Sequence, residues 1–412
     1  MAMKVLFTEG SSLTAREFLS VLGPAGHWIE VLDPSPACLC RFSRWTRKVH
    51  PCPPANADPD GYLEAVNHVL DKGMFDVLLP THEQAWLLAA AGERLRSGTG
   101  TAMAAPEAFA RVQSKIAFAG LLDDIGLPQP QWGRLDAIAQ LAGKLPPFYL
   151  KTPYSTAGSG VRLVKSDGDA VAAFQELLEV SDDQPLMWQA AAKGDYAQVQ
   201  ALFDHGRLVA CHTSMQTAVG IGPSAAGRMS VDHPLAREDM AKIGRHLAWH
   251  GGLTLDYLFR DGERLYIECN PRTVEPANAA ASGVDLPGLQ LALSRGAHPP
   301  EAPPGKCGVR THGSLAILLG TGAYAGTRRA VLLKMAEILL RRKAFNGSHE
   351  GLTPVTRDFP SIVPLLAVAA QALMAPRSIV GLSRSSIGRY NVTRKAIEDL
   401  KDVVHFEPKE TT

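Results

Sequence analysis

Leu253–Arg272 reads LTLDYLFRDGERLYIECNPR and sets Asp256, Glu268, Asn270 and Arg272 into two alternating runs around an Asp-Gly turn. Alternation sends every second side chain to the same side, so Glu268 and Asn270 share a face about 6–7 Å apart along the strand. Hard oxygen donors at that separation suit Mg²⁺ (or Mn²⁺) bridging the phosphates of a nucleotide. An ordinary exposed hairpin has the same local pattern, because Asp-Gly turns between alternating residues are common. Register separates the two readings. A strict two-residue turn pairs Arg260 with Glu263 and sets Asp256 opposite Ile267, on the face away from Glu268. A metal site that includes Asp256 therefore requires a longer loop, Asp261–Glu263, or a bulge.

A distant segment, Phe148–Val164, reads FYLKTPYSTAGSGVRLV: a strand ending in Lys151, a small-residue loop Ser155–Gly160, and a second strand opening at Val161. Gly158 and Gly160 let backbone N–H groups approach an anion, and Lys151 with the hydroxyls of Ser155, Thr156 and Ser159 adds donors. This is not a Walker A loop, since no Lys-Ser/Thr follows the glycines and the loop leads into a strand rather than a helix. Taken alone, such a hairpin is more often a flexible turn than a nucleotide lid.

Together the two segments resemble the ATP-grasp superfamily, in which a glycine-rich hairpin folds over ATP and an acidic strand pair holds Mg²⁺. The stretch LDYLFRDGERLYIECNPR is similar to the hairpin of the biotin carboxylase and carbamoyl-phosphate synthase branch, where an acid precedes a Glu-x-Asn-x-Arg. Upstream, RVQSKIAFAGLLDDIGLPQPQW resembles the segment that opens the nucleotide domain, so Lys115 takes the phosphate-contacting basic position. The resemblance runs from about Met3 to Leu293.

By that resemblance, Asp256, Glu268 and Asn270 hold one or two metal ions, and Lys115, Lys151 and the Ser155–Gly160 loop clamp the phosphates. Leu186–Val199 becomes the strand whose backbone contacts adenine, with Gln189 near the base and Asp195 near the ribose. Ala190 stands there where the family often has an acid. Arg272 would stabilise a tetrahedral oxyanion, and Arg228 lies where the family has a group near the transferring phosphate or the substrate carboxylate. The implied activity is an ATP-dependent carboxylate–amine ligase that forms an acyl phosphate and releases ADP and phosphate, acting on amino acids or related small acids and amines. Two alternatives stay open: carboxylation or carbamoylation through carboxyphosphate, and a low-turnover ATP-binding protein coupled to a partner. Glu275 lies one residue off an acid of the biotin carboxylase site and the Gln-x-Glu-His pattern is missing, which disfavours bicarbonate. A homodimer is expected on family grounds alone.

Positioning these groups takes an α/β (α+β) chain. Lys4–Phe7, Leu13–Leu22, Trp28–Leu32 and Phe75–Leu79 alternate strand and helix, which predicts a small parallel sheet with crossover helices. The first turn, Thr8–Ser12, is not a G-x-G-x-x-G, so a dinucleotide oxidoreductase is disfavoured. Glu9, Thr81 and Glu83 fall at strand ends, as substrate contacts or as turn and cap groups. The expected layout is an N-terminal pre-ATP-grasp domain over residues 1–105, an ATP-grasp domain over 106–300 with a lid at about 148–190, and a mostly helical extension over 301–412. Within the extension, Ser314–Leu319 reads as a strand and Arg328–Lys343 as a cationic amphipathic helix. Ser361–Met374 is apolar, yet shorter than the roughly 20 residues that a bilayer needs. The extension is expected to pack on the substrate site, with docking to a membrane surface or a partner as the competing reading.

A chain of 412 residues calls for two or three domains. Its 42 basic and 41 acidic residues leave no charge signal for nucleic acid. Six cysteines form no Cys-x-x-Cys pair, and Cys38-x-Cys40 lacks partners at zinc spacing, so free thiols in a reducing cytoplasm are expected. The start, MAMKVLFTEG, has no signal-peptide pattern. None of the 13 histidines falls at a metal-motif spacing.

Overall fold

The computed structural model describes residues 2–96, 98–155, 158–181, 184–221, 224–379, 381 and 392–402. Three sheets organise them. The first contains β1 (Lys4–Phe7), β2 (Trp28–Asp33), β3 (Thr46–Pro51) and β4 (Val77–Leu79) in the order β3-β2-β1-β4, all parallel. Its crossovers include α1 (Leu13–Leu22) and α2 (Pro59–Gly73), and α3 (Gln84–Ala91) follows β4. Val5, Leu6 and Phe7 are wholly buried, as a strand covered on both faces requires. The α1 boundaries are those expected, because Ser12 caps the helix by accepting the Ala15 N–H at 3.0 Å.

After α4 (Pro106–Gln113) and α5 (Lys115–Asp124), the chain forms a small antiparallel sheet. It consists of β5 (Trp132–Leu135), β6 (Phe148–Lys151), β7 (Val161–Val164) and β8 (Leu186–Ala190), ordered β5-β8-β6-β7, with α6 (Asp167–Leu178) against it. Phe148, Leu150, Phe174, Leu177 and Leu186 give this unit an apolar core of its own.

The third sheet has seven strands. In chain order these are β9 (Asp195–Asp204), β10 (Arg207–Val219), β11 (Ala225–Val231), β12 (Gly251–Arg260), β13 (Glu263–Asn270), β14 (Arg310–His312) and β15 (His349–Glu350), with spatial order β13-β12-β9-β10-β11-β14-β15. Helix α7 (Pro234–Leu247) packs on one face, where Val199, Ala201 and Phe203 meet Met240 and Ile243. The side chains between them, Gln198 and Gln200, belong to the other face. Along that face a polar row crosses the sheet: Glu268 opposes Asp256, Asp256 opposes Gln198, Gln198 opposes Ser214, and Ser214 opposes Ser230. The period of two thus sorts core from site within single strands.

Helices α8 (Ala277–Ser282) and α9 (Leu286–Ser294) precede β14, and α10 (Ser314–Ala325), α11 (Arg328–Leu339), α12 (Ile362–Met374) and α13 (Arg394–Asp402) make the extension mostly helical. Ser314–Leu319, expected as a strand, is the start of α10. The apolar run there does not alternate, so pattern alone cannot tell a buried strand from a buried helix. What selects the helix is distant: the Glu350 carboxylate accepts from Ser314 N at 2.9 Å and from Ser314 Oγ at 2.5 Å, capping the first turn. Pro364 sits in the first turn of α12, where no intrahelical donor is lost. The extension is locked to the first sheet by Arg16 and Asp358, both completely buried and paired at 2.6 Å. Helix α11 fully buries only Val331 and exposes Leu332, Leu333 and Leu339, with Leu340 exposed just past its end. Among the described residues no helix is long and apolar enough to cross a membrane.

Candidate nucleotide and metal site

The hairpin of β12 and β13 closes on a two-residue turn, Asp261-Gly262, with φ of 52° and 86°, and Arg260 faces Glu263. Regular pairing continues to Tyr257 opposite Tyr266, then slips: Ile267 bulges out and Asp256 faces Glu268. The bulge is therefore the device that brings the acids together, and it also turns the Ile267 carbonyl to accept from Lys151 Nζ at 3.3 Å. Asn270 Nδ2 donates to Asp256 Oδ2 at 3.2 Å and Gln198 Nε2 to Oδ1 at 2.9 Å. Burial pushes the Asp256 carboxyl up to about 6, with repulsion from Glu268 adding to it.

Two amines approach from the other side. Lys115 Nζ donates to Ser155 O and Oγ, both at 3.1 Å, and lies 3.2 Å from Glu268 Oε1. Lys151 Nζ donates to Gln189 Oε1 at 2.6 Å. Desolvation holds the Lys151 ammonium down at about 8 against the attraction of Glu268. Gly158 and Ser155 line the same cavity. Gly160 is packed so tightly that a Cβ there would meet Thr152 Oγ1 at 2.0 Å, and its carbonyl accepts the Thr152 N–H at 2.8 Å, closing the loop. Ser159 contributes its carbonyl to Arg162. Thr156 lies outside the described residues.

Gln189 thus lies in the cavity with its side chain oxygen committed to Lys151. Asp195 is exposed at the start of β9 and outside the cavity lining, whereas its neighbour Tyr196 lines the cavity and is hydrogen-bonded to Asp256. Glu9 and Thr81 bond to each other at 2.9 Å, and Glu9 also accepts from Ser11 N and Ser12 N, so these two serve the turn before α1. Glu83 does line the cavity.

Farther along, Arg228 is buried with Nη2 on Glu275 Oε2 at 2.9 Å, while Nε and Nη1 have no partner among the described residues. Arg272 Nη2 donates to His82 Nε2 at 3.1 Å. Burial and the Arg272 charge push the His82 imidazole well below its usual range, so it is a neutral acceptor. Glu275 has φ of 48°, a left-handed conformation that a non-glycine residue adopts at a cost. Glu17 on α1 lies close enough to Glu275 that repulsion adds to burial in raising its carboxyl to about 8. All the named lysines, Arg228, Arg272 and the three metal candidates line one cavity of about 930 Å³. Hard oxygens beside buried amines and a guanidinium with unused donors are the donor set that Mg²⁺ and nucleotide phosphates need. The residues present therefore fit both groups.

Glu17, His82 and Tyr196 escaped sequence reasoning, as did the approach of Glu17 to Glu275, since nothing local relates α1 to a turn after β13. Gln198 and Gln200 did leave a signal, polar residues at period two inside the apolar run YAQVQALF. Away from the cavity, Asp204, His205 and His250 gather as closely as a metal site, but Asp204 is engaged by Arg207 and His298 at 2.8 Å each.

No family model matches the chain. Among curated proteins it is 25% identical over 199 residues to multifunctional protein URA2 of Saccharomyces cerevisiae, covering 44% of this chain and 9% of that protein. It is 22% identical over 288 residues to the carbamoyl phosphate synthase large chain of Thermoplasma acidophilum, covering 65% and 27%. The chain therefore spans only a minor part of these relatives. Of solved structures, the biotin carboxylase domain dimer of Hydrogenobacter thermophilus 2-oxoglutarate carboxylase, in complex with MgADP, ADP and bicarbonate, superposes with a TM-score of 0.59 at 15% identity over 75% of this chain and 73% of that one. The L-amino acid ligase from Bacillus licheniformis superposes with a TM-score of 0.54 at 14% identity over 73% and 75%. The fold is the ATP-grasp fold.

Proposed function

We propose that the chain is an ADP-forming ATP-grasp enzyme that joins a carboxylate to an amine through an acyl phosphate, with ATP and Mg²⁺ as its cofactors. One observation carries this reading: a single cavity is lined by Asp256, Glu268 and Asn270, by Lys115 and Lys151, and by Arg228 and Arg272, whose guanidinium groups keep donors with no partner among the described residues. Bound by Asp256, Glu268 and Asn270, Mg²⁺ would supply charge neutralisation for the phosphates. Lys115, Lys151 and the Ser155–Gly160 loop hold the phosphate oxygens, and closure of the loop excludes water.

A carboxylate oxygen of the acid attacks the γ-phosphorus, the bond to the bridging oxygen breaks, and ADP leaves. The amine then attacks the acyl carbon. Its C–O bond to phosphate breaks, phosphate departs with the electron pair, and the amine proton passes to solvent. Arg272 donates to the oxygen that becomes an oxyanion, and Arg228 orients the acid. Carboxylation or carbamoylation through carboxyphosphate is the second reading, favoured by the carbamoyl phosphate synthase relative. Residues 1–105, 106–300 with a lid at about 148–190, and 301–412 would be the domains. The six free cysteines fit a cytoplasmic protein, and a homodimer fits the dimer reported for the 2-oxoglutarate carboxylase domain.

The test is ADP and phosphate release with Mg-ATP against panels of acids, amines and bicarbonate, with Glu268→Ala as the blank. Release that needs both an acid and an amine supports the ligase. Release with bicarbonate alone supports the second reading.

A further inference from the structure

Past the phosphate end, the cavity continues between the first sheet and the extension, and its wall changes character. Lysine, arginine, histidine and carboxylate side chains line the cavity elsewhere, yet none comes from the Ser11–Phe42 part of the lining or from α10 and α12. Those segments contribute Leu13, Leu39, Phe42, Leu315, Leu319 and Val368, with Ser11, Ser12 and Thr14 at the start of α1, where the two serine hydroxyls already donate to Asp33 and Glu9. All of these apolar residues but Phe42 pack in one apolar cluster around Ala226 and Ala316, so the wall is continuous although its parts lie hundreds of residues apart. Arg228 stands on β11 two residues beyond Ala226, 5% exposed, with two guanidinium nitrogens that have no partner among the described residues. Buried donors left unpaired are costly, so an acceptor that fits here must arrive with a ligand.

We propose that this end of the cavity binds the acid substrate and selects a carboxylic acid bearing a large aliphatic or aromatic group. The carboxylate takes the unused donors of Arg228, and the apolar group lies on Leu39, Leu315, Leu319 and Val368. This assignment rests on the ligase reading and gives the extension a role in specificity, since α10 and α12 form the apolar wall. A small hydrophilic acid would leave that wall wet, whereas each buried methylene strengthens binding about fourfold. An acid with a second charge would bring that charge against a surface with no charged partner for it among the described residues.

The full chain is titrated by calorimetry, with Mg²⁺ and a non-hydrolysable ATP analogue, against straight-chain acids from acetate to octanoate and against glycine, leucine, phenylalanine and glutamate. Phosphate release with Mg-ATP and an amine is measured on the same panel. The expected result is affinity rising about fourfold per methylene until the wall is covered, with glutamate excluded. Ala316→Trp, which fills the pocket, is expected to shift the preference toward the small acids, and Val368→Asn to weaken only the longer ones. Release confined to small or doubly charged acids overturns the pocket assignment and leaves the ligase standing. Binding of long acids that Ala316→Trp abolishes, without release from any acid, upholds the pocket and overturns the ligase. Chain-length dependence on the amine rather than the acid, or no binding of any acid, overturns the proposal.

Discussion

Asp256 faces Glu268 across β12 and β13 because Ile267 drops out of the ladder between them. Asp256→Asn removes the charge that the bulge sets opposite Glu268 and leaves the ladder of β12 and β13 as it is. The expected outcome is a loss of Mg²⁺ or Mn²⁺ affinity of tenfold or more in calorimetry, with the far-ultraviolet circular dichroism of the sheet retained. Unchanged affinity would remove Asp256 from the metal site.

Lys151 is proposed to hold phosphate, and its ammonium is already pushed down to about 8. Its folded value lies below the ordinary 10.5, so without ligand the folded state binds fewer protons than the unfolded state between pH 8 and 10.5, and stability rises across that window. Nucleotide binding has the opposite sign, because ADP needs the cation. ADP affinity should fall as pH rises through about 8, and Lys151→Met should flatten the profile while weakening ADP by one to two orders of magnitude, about 1.5–3 kcal/mol. Fluorescence titration of ADP from pH 6.5 to 9.5 measures both.

Glu17 holds a proton in the folded state up to about pH 8, against 4.5 when exposed. A raised carboxyl means that the folded state binds more protons across pH 4.5 to 8, so this group lowers stability as pH rises through that window. Glu17→Gln should remove that part of the slope and raise the melting temperature at pH 8.5 more than at pH 5. Equal effects at both pH values would contradict the protonated state.

Arg272 donates to a neutral His82 and keeps its Nε unused. If it meets the oxyanion, Arg272→Met should lower kcat about a hundred- to a thousandfold while ATP binding changes little. An equal loss in ATP affinity would make it a nucleotide-binding residue instead.

The buried pair Arg16–Asp358 joins α1 to the extension, and Ser361 Oγ shares the guanidinium. Removing one partner leaves a buried charge, so Arg16→Met or Asp358→Asn should cost about 3–5 kcal/mol in urea unfolding. The double variant Arg16→Met, Asp358→Leu should recover much of it.

What sequence made legible was local. Glu268 and Asn270 were readable because two residues along a strand always share a face, and the need for a bulge followed from counting register back from Arg260. Lys115 and Lys151 were found through the segments around them. Glu275 was noticed only by its offset from a family acid, and Glu17 beside it was not, since 258 positions of chain separate a helix of the first sheet from a strained turn after β13, and only the folded arrangement brings them together. Ser314–Leu319 was misread for the same reason: the carboxylate that caps α10 comes from Glu350, outside any window centred on the apolar run.

The most direct test of the central claim follows oxygen. Acid labelled with ¹⁸O in its carboxylate is turned over with Mg-ATP and an amine, and the released phosphate is analysed by mass spectrometry. One ¹⁸O transferred per phosphate is the predicted result, because the carboxylate oxygen that attacks the γ-phosphorus leaves with it. Phosphate carrying only oxygen from ATP and water would contradict an acyl phosphate and, with it, the function proposed for this cavity.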